Sequence, residues 1–258
     1  MLLTVAASVS RPTCPAALPE DAHWWFHTRT EAIHGSLAAL APAAGLVLDV
    51  GGGAGNMVHH LSRYGSVIGV DNAWKPLQIA RGRGYTSIPA EAGSLPFADD
   101  SFRLVALLDL IEHCENDMPV LEEAVRVCSP GGLLVITTPA FPWLWSHNDV
   151  LNRHHRRYTA GQLRALLQGA GLKVLRLFYT HSLIFPAALA LLLLRKATGA
   201  RPQLATPDDE DAYQVEMEPT PEPLNALLRA VGSMEAWLTR RVNLPIGTAL
   251  LAIGRKAG

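Results

Sequence analysis

Residues 46–71, LVLDVGGGAGNMVHHLSRYGSVIGVD, constrain the fold more than any other stretch of the chain. LVLDV is a short apolar run of the length and composition of a buried strand. Four glycines follow, at 51, 52, 53 and 55. An amphipathic segment over 56–64 comes next, with Met57, Val58 and Leu61 on one side. A second apolar run, VIGV, ends on Asp71. Two parallel strands joined by a helix need this kind of crossover, which is almost always right-handed. Glycines at the end of the first strand let bare backbone approach a ligand. The helix that follows presents unpaired N–H groups and a partial positive charge. Asp71 ends the second strand twenty residues after Gly51, where a carboxylate suits the two hydroxyls of a ribose. The unit therefore predicts a nucleoside ligand.

The spacing narrows the choice of nucleoside. A dinucleotide fingerprint, G-x-G-x-x-G, would want glycine at 56, and Asn56 stands there. The glycines instead run G-x-G-x-G over 51, 53 and 55, with Asp49 inside the first strand. The string LDVGGGAG resembles the first motif of the class I S-adenosylmethionine-dependent methyltransferases, with Gly52 where that family often has cysteine. AEAGSLPFADDSFRLV, the D-L-I-E-H end of the next strand and the SPGGLLVITTP segment resemble later motifs of the same family, in order and at ordinary spacing.

The resemblance covers residues 46 to about 180. It implies a doubly wound α/β fold with a seven-stranded, mostly parallel sheet in the order 3-2-1-4-5-7-6, the last strand antiparallel. It also implies S-adenosyl-L-methionine as cofactor, held by Asp49, Gly51, Gly52, Gly53, Gly55, Asn56, Asp71, Asn72, Glu91, Ala92, Asp109 and Leu110. Glu91 stands where the family has aspartate, one methylene longer.

Around this core the chain divides by composition. Residues 1–19, with prolines at 12, 15 and 19, read as a loose tail. Residues 20–43 read as a helical cover whose WWF run at 24–26 cannot all be buried on one stripe; Trp25 is taken to face substrate. Residues 44–182 form the cofactor-binding domain. Residues 183–246 are a helical insertion. It holds an apolar helix near 183–196, an acidic, proline-rich linker at about 199–223, and an amphipathic helix near 223–241. In that last helix Leu224, Leu227, Leu228, Val231, Met234 and Leu238 share a face. Residues 247–258 supply the final strand.

The loop FPWLWSHNDVLNRHHRRYTAGQL leaves the carboxyl end of the fifth strand. Thr159 and Gln162 form a capping box for the helix over 160–170 and fix where the loop ends. Here His154 or His155 is expected to act as base toward the acceptor, with Trp145, His147 and Tyr158 shaping or orienting it.

Net charge of −1 over 258 residues offers no general footprint for nucleic acid. Three cysteines lack metal spacing and even pairing, and a reducing, cytoplasmic compartment follows. No metal is expected. No apolar run is long enough for a membrane span. The 183–196 helix has two readings: burial against the amphipathic helix as a lid or homodimer face, or peripheral contact with a membrane or a lipid or quinone acceptor. The expected reaction is methyl transfer to a small molecule, O-methylation first, with N- or C-methylation of a sugar, quinone or lipid-linked acceptor as the alternative. A non-catalytic cofactor-binding scaffold is the competing reading from another class. An NAD-dependent oxidoreductase is disfavoured by Asn56.

Overall fold

The structure, a computed structural model, describes residues 18–40, 44–199 and 220–258. Of the expected tail over 1–19 and linker over about 199–223, residues 1–17 and 200–219 lie outside the described residues. Seven strands form one sheet: β1 (Gly45–Val50), β2 (Gly65–Asp71), β3 (Ser87–Pro89), β4 (Phe102–Leu108), β5 (Cys128–Pro139), β6 (Leu172–Thr180) and β7 (Ala249–Lys256). Their order is β3-β2-β1-β4-β5-β7-β6. β1 to β5 pair in parallel, and β7 runs antiparallel between β5 and β6. The architecture is the one the motifs imply.

Strand periodicity sorts the core into two layers, because successive side chains leave opposite faces of a sheet. Leu48, Val50, Val105, Leu107, Leu134 and Ile136 form one layer with Leu121 and Ala124 of α4 (Asp117–Val127) and Leu163 and Leu167 of α6 (Ala160–Gly169). Val47, Leu104, Ala106, Leu133 and Val135 form the other. They pack against Ile33 and Leu37 of α1 (Trp24–Leu40), Val58 and Leu61 of α2 (Val58–Leu61) and Ala80 of α3 (Trp74–Gly82). The segment expected to be helical over 56–64 is irregular: α2 has one turn and passes into a 3-10 turn, Ser62–Tyr64. The SPGG turn is absorbed into β5, with a register shift between Phe102 and Leu104.

The insertion departs from expectation. α8 (Glu222–Thr239) packs along α1, and the residues it buries are Asn225, Gly232, Glu235, Ala236 and Thr239. A Cβ on Gly232 would lie 2.0 Å from Thr28 Oγ1, so bare backbone is what allows the crossing. Asn225 Oδ1 accepts from the Trp24 N–H and its Nδ2 donates to the Ala22 carbonyl, so α8 satisfies the start of α1. Of the apolar face expected on this helix, Leu224, Leu227 and Met234 are exposed, while Leu228, Val231 and Leu238 are half-buried. α7 (Phe185–Thr198) likewise buries Phe185 and leaves Leu191, Leu193 and Leu194 exposed. The apolar helix thus does not bury its leucines against its amphipathic neighbour. Among the described residues no helix is long and apolar enough to cross a membrane.

Candidate active site

The carboxyl ends of β1, β2, β4, β5 and β6 share one edge, where ligands of open α/β sheets bind. The turn at 51–55 leaves β1 there, with Gly51, Gly53 and Gly55 at positive φ. A Cβ on Gly51 would meet Leu110 Cδ1 at 2.6 Å, one on Gly52 would meet Asp49 Oδ2 at 2.9 Å, and one on Gly55 would meet Tyr85 at 2.3 Å. These glycines answer first to side chains packed beneath the turn, including two that the sequence assigns to cofactor binding. Asp71 closes the turn: Oδ2 accepts from the Gly53 N–H at 2.9 Å and Oδ1 from the Ala73 N–H at 2.8 Å. Each oxygen keeps a lone pair for a ligand hydroxyl.

Asp49 is buried and its Oδ2 has no hydrogen-bond partner. Burial pushes the carboxyl up to about 7; Arg29 pulls it down and Asp71 pushes it further up. An orphaned carboxylate oxygen beneath the glycine turn fits the ammonium of an amino-acid moiety. Asn72 and Glu91 meet beyond Asp71, with Asn72 Nδ2 at 3.3 Å from Glu91 Oε2. Ala92 follows, half-buried. Asn56 Oδ1 is instead taken by Arg83 Nη1 at 2.9 Å.

Three non-glycine residues at this edge adopt positive φ: Asp109 after β4, Phe141 after β5 and His181 after β6. Such backbone is costly and collects at functional sites. The Asp109 N–H is held by the Thr137 carbonyl and hydroxyl, at 3.0 and 3.1 Å. Its carboxylate is paired with Arg29 of α1. The Arg29 guanidinium lies over Trp25 and Phe26, 4.8 Å from each ring. Trp25 also stacks on His181 at 6.0 Å. Burial pushes the His181 imidazole down to about 4 against the opposing pull of Asp109, so it is neutral at pH 7. Arg29 and His181 escaped the sequence reading. The available signal for Arg29 was its position one helical turn after Trp25.

The rim loop contains a hydrogen-bonded pair. His154 Nδ1 lies 3.0 Å from Asp149 Oδ1. Arg157 grips the same carboxylate through Nε at 2.6 Å and Nη2 at 3.0 Å, and the Ser146 N–H donates to it at 2.7 Å. Burial alone would raise the Asp149 carboxyl. The hydrogen bonds from His154 and Arg157 outweigh it and hold the group well below the usual carboxylate range. The contact fixes the orientation of the His154 ring, with Nδ1 toward Asp149. The His113 ring meets His154 edge-on at 4.7 Å.

Behind them Glu112 is fully buried, with Oε2 accepting from Thr138 and Oε1 unpartnered. Burial, then the charge of Asp109, pushes its carboxyl well above the ordinary range. His155 is exposed, and its N–H donates to the Glu112 carbonyl. Tyr158 is buried with its hydroxyl donating to Asp117 at 2.7 Å, a structural position. The capping box of Thr159 and Gln162 is present and starts α6.

Trp145 and His147 line a groove of about 620 Å³ that runs beneath α7. Leu144, Leu189 and Leu192 make its apolar wall, and Arg195 and Lys196 stand at the end of α7. Arg157 lines the same groove, which links it to the Asp149–His154 pair.

Residues 48–136 match the methyltransferase domain family. The demethylmenaquinone methyltransferase of Tropheryma whipplei is 32% identical over 148 residues, covering 55% of this chain and 59% of that protein. The chain thus spans less than two thirds of the length of that curated relative. Two solved structures share the fold. A chain of the Haloferax volcanii complex between the Trm112 methyltransferase activator and a methyltransferase has a TM-score of 0.56 at 21% identity, covering 93% of this chain and 92% of that one. The YcgJ protein of Bacillus subtilis has a TM-score of 0.55 at 20% identity, covering 89% and 99%.

Proposed function

We propose that the chain is a class I S-adenosylmethionine-dependent methyltransferase, a reading that the family match over residues 48–136 and the Tropheryma relative support, and that it methylates a hydroxyl-bearing, largely apolar small molecule held under α7. S-Adenosylmethionine, when bound, supplies an activated methyl group on a sulfonium. The residues present fit it. Asp71 would hold the ribose hydroxyls, the orphaned Asp49 oxygen the ammonium, and Asn72, Glu91 and Ala92 the adenine side. Asp109, locked by Arg29 and Thr137, would border the methionine part together with Leu110.

The protein's own contribution is alignment and proton removal. Alignment of donor and acceptor is worth on the order of 7–11 kcal/mol in well-oriented cases. Trp25 on one side and the rim loop on the other would exclude water from the acceptor. His154, oriented by Asp149, would take the acceptor proton on Nε2. Arg157 keeps Asp149 ionised, so the imidazolium that forms is stabilised. The observation that carries the reading is a buried carboxylate that aligns His154 and is gripped by Arg157, which itself lines the apolar groove. It favours His154 over the exposed His155.

A deprotonated aromatic hydroxyl can be alkylated on oxygen or on an adjacent ring carbon. O-methylation remains the first reading; the quinone-related name of the Tropheryma relative favours ring-carbon methylation as the second. Incubation with methyl-labelled S-adenosylmethionine and a panel of hydroxylated aromatics bearing apolar tails tests the proposal. Labelled product, assigned as ether or C-methyl by fragmentation, is expected. Tight cofactor binding with no labelled product across the panel would favour the scaffold reading instead.

A further inference from the structure

Away from the crevice, three metal-ligating side chains converge on the seam between the N-terminal segment and α2. Asp21 belongs to a 3-10 turn, Pro19–Ala22. His60 Nε2 lies 2.7 Å from Asp21 Oδ1, and His59 Nε2 lies 2.9 Å from Asp21 Oδ2. The three ligand atoms all fall within 4.8 Å of one another. Neighbouring residues on a helix diverge by about 100°, yet these two rings turn together to a centroid separation of 3.7 Å.

His59 carries the argument furthest. Its side chain is 8% exposed, and neither ring nitrogen has a hydrogen-bond partner. The 2.9 Å approach to Asp21 has the distance of a hydrogen bond but not its alignment. A buried imidazole with both nitrogens unsatisfied is costly unless something else takes its lone pair. His60 does bond Asp21, so the carboxylate alone does not satisfy both rings.

We infer that Asp21, His59 and His60 bind a divalent transition-metal ion of the zinc class. Two imidazole nitrogens and one carboxylate oxygen are the donor set zinc takes, at about 2.0–2.2 Å. A tetrahedral site needs donor atoms about 3.3 Å apart, so both imidazoles must draw back from their present 2.7 and 2.9 Å approaches to Asp21 to admit an ion. Magnesium and calcium, which want oxygen, are excluded by the donors. Arg63, on the exposed side, opposes a cation, but solvent screens it. The position gives the ion a task. The same seam is stitched by Arg83, which reaches Glu20 at 3.1 Å while donating to the Ala54 carbonyl at 3.0 Å. A metal here would be a second fastening of the N-terminal segment to the helix that follows the glycine turn.

The test uses the full chain, stripped with chelator and titrated calorimetrically with zinc, with cobalt(II) as the spectroscopic probe. One equivalent of zinc is expected, together with the intense visible absorption of tetrahedral cobalt and a rise in Tm. His59→Gln/His60→Gln should weaken zinc binding at least a hundredfold and abolish the Tm rise. His154→Gln should leave both unchanged, which separates this site from Glu112, His113 and His154, the other described trio whose metal-ligating atoms lie within 4.8 Å of one another. Should the double variant not fold, Asp21→Asn and the wild-type cobalt spectrum decide. Absence of stoichiometric zinc, a weak octahedral cobalt spectrum, or undiminished binding in the variants would overturn the inference.

Discussion

Arg29 of the N-terminal helix and Asp109 at the carboxyl end of β4 form an ion pair that the chain spans eighty residues to make. Neither side chain is freely solvated, at 9% and 21% exposure. The pair ties α1 to the carboxyl end of β4, where Asp109 adopts a left-handed backbone. Removing the cation leaves a poorly hydrated carboxylate beside buried Glu112, and breaking a buried pair costs about 3 kcal/mol. Arg29→Met is therefore expected to lower the unfolding free energy by that amount, read as a fall in the urea midpoint with the slope unchanged, and to weaken cofactor binding.

Asp49 supplies a pH dependence. With its carboxyl raised to about 7 by burial, it is protonated in the free protein below that pH. A ligand ammonium prefers the ionised form, so binding below pH 7 must first release a proton. Affinity for S-adenosylmethionine is expected to fall by up to about tenfold per unit as pH drops from 7 toward 5. Calorimetry in two buffers of different ionisation heat should register the proton release. In Asp49→Asn the slope and the release should both vanish.

The rim pair predicts a split between catalysis and binding. His154→Gln keeps the Asp149–Arg157 grip and should leave cofactor Kd unchanged while lowering kcat by about 10²–10⁴-fold. His155→Gln should change kcat little. Raising the pH should partly restore the His154 variant for an acidic acceptor hydroxyl, because solution then removes the proton.

The groove predicts where acceptor affinity resides. Leu192→Asp places an unpaired carboxylate in an apolar wall. It should raise KM for an apolar acceptor by at least about tenfold without altering cofactor affinity. Steady-state kinetics with acceptor and cofactor varied in turn separate the two effects.

How much of this was legible in the chain follows from the range of each interaction. The glycine turn, the acid at 71, the strand order and the Thr159 cap are set by local backbone chemistry or by a contiguous motif. The residues missed are those whose partners lie far away in sequence. Arg29 meets Asp109, His181 stacks on Trp25, and Glu112 is buried under Thr138. The face of α8 misled for a different reason. Periodicity identified a stripe that includes Leu224, Leu227 and Met234, but α1 offers Thr28 and Gly35, and a close crossing selected the side of α8 carrying Gly232 and Ala236. Hydrophobic spacing reports that residues share a face; which face packs depends on how near the neighbouring backbone can come.

The account rests on an adenosyl nucleoside lying against the turn at 51–55 with its ribose on Asp71. Calorimetric titration of wild type and Asp71→Ala with S-adenosylmethionine and its demethylated product addresses that directly. The account predicts one site in the wild type and affinity at least about tenfold weaker in the variant, the loss of a charge-assisted hydrogen-bond pair. Equal affinity in the two proteins, or tighter binding of NAD than of either adenosyl compound, would contradict it.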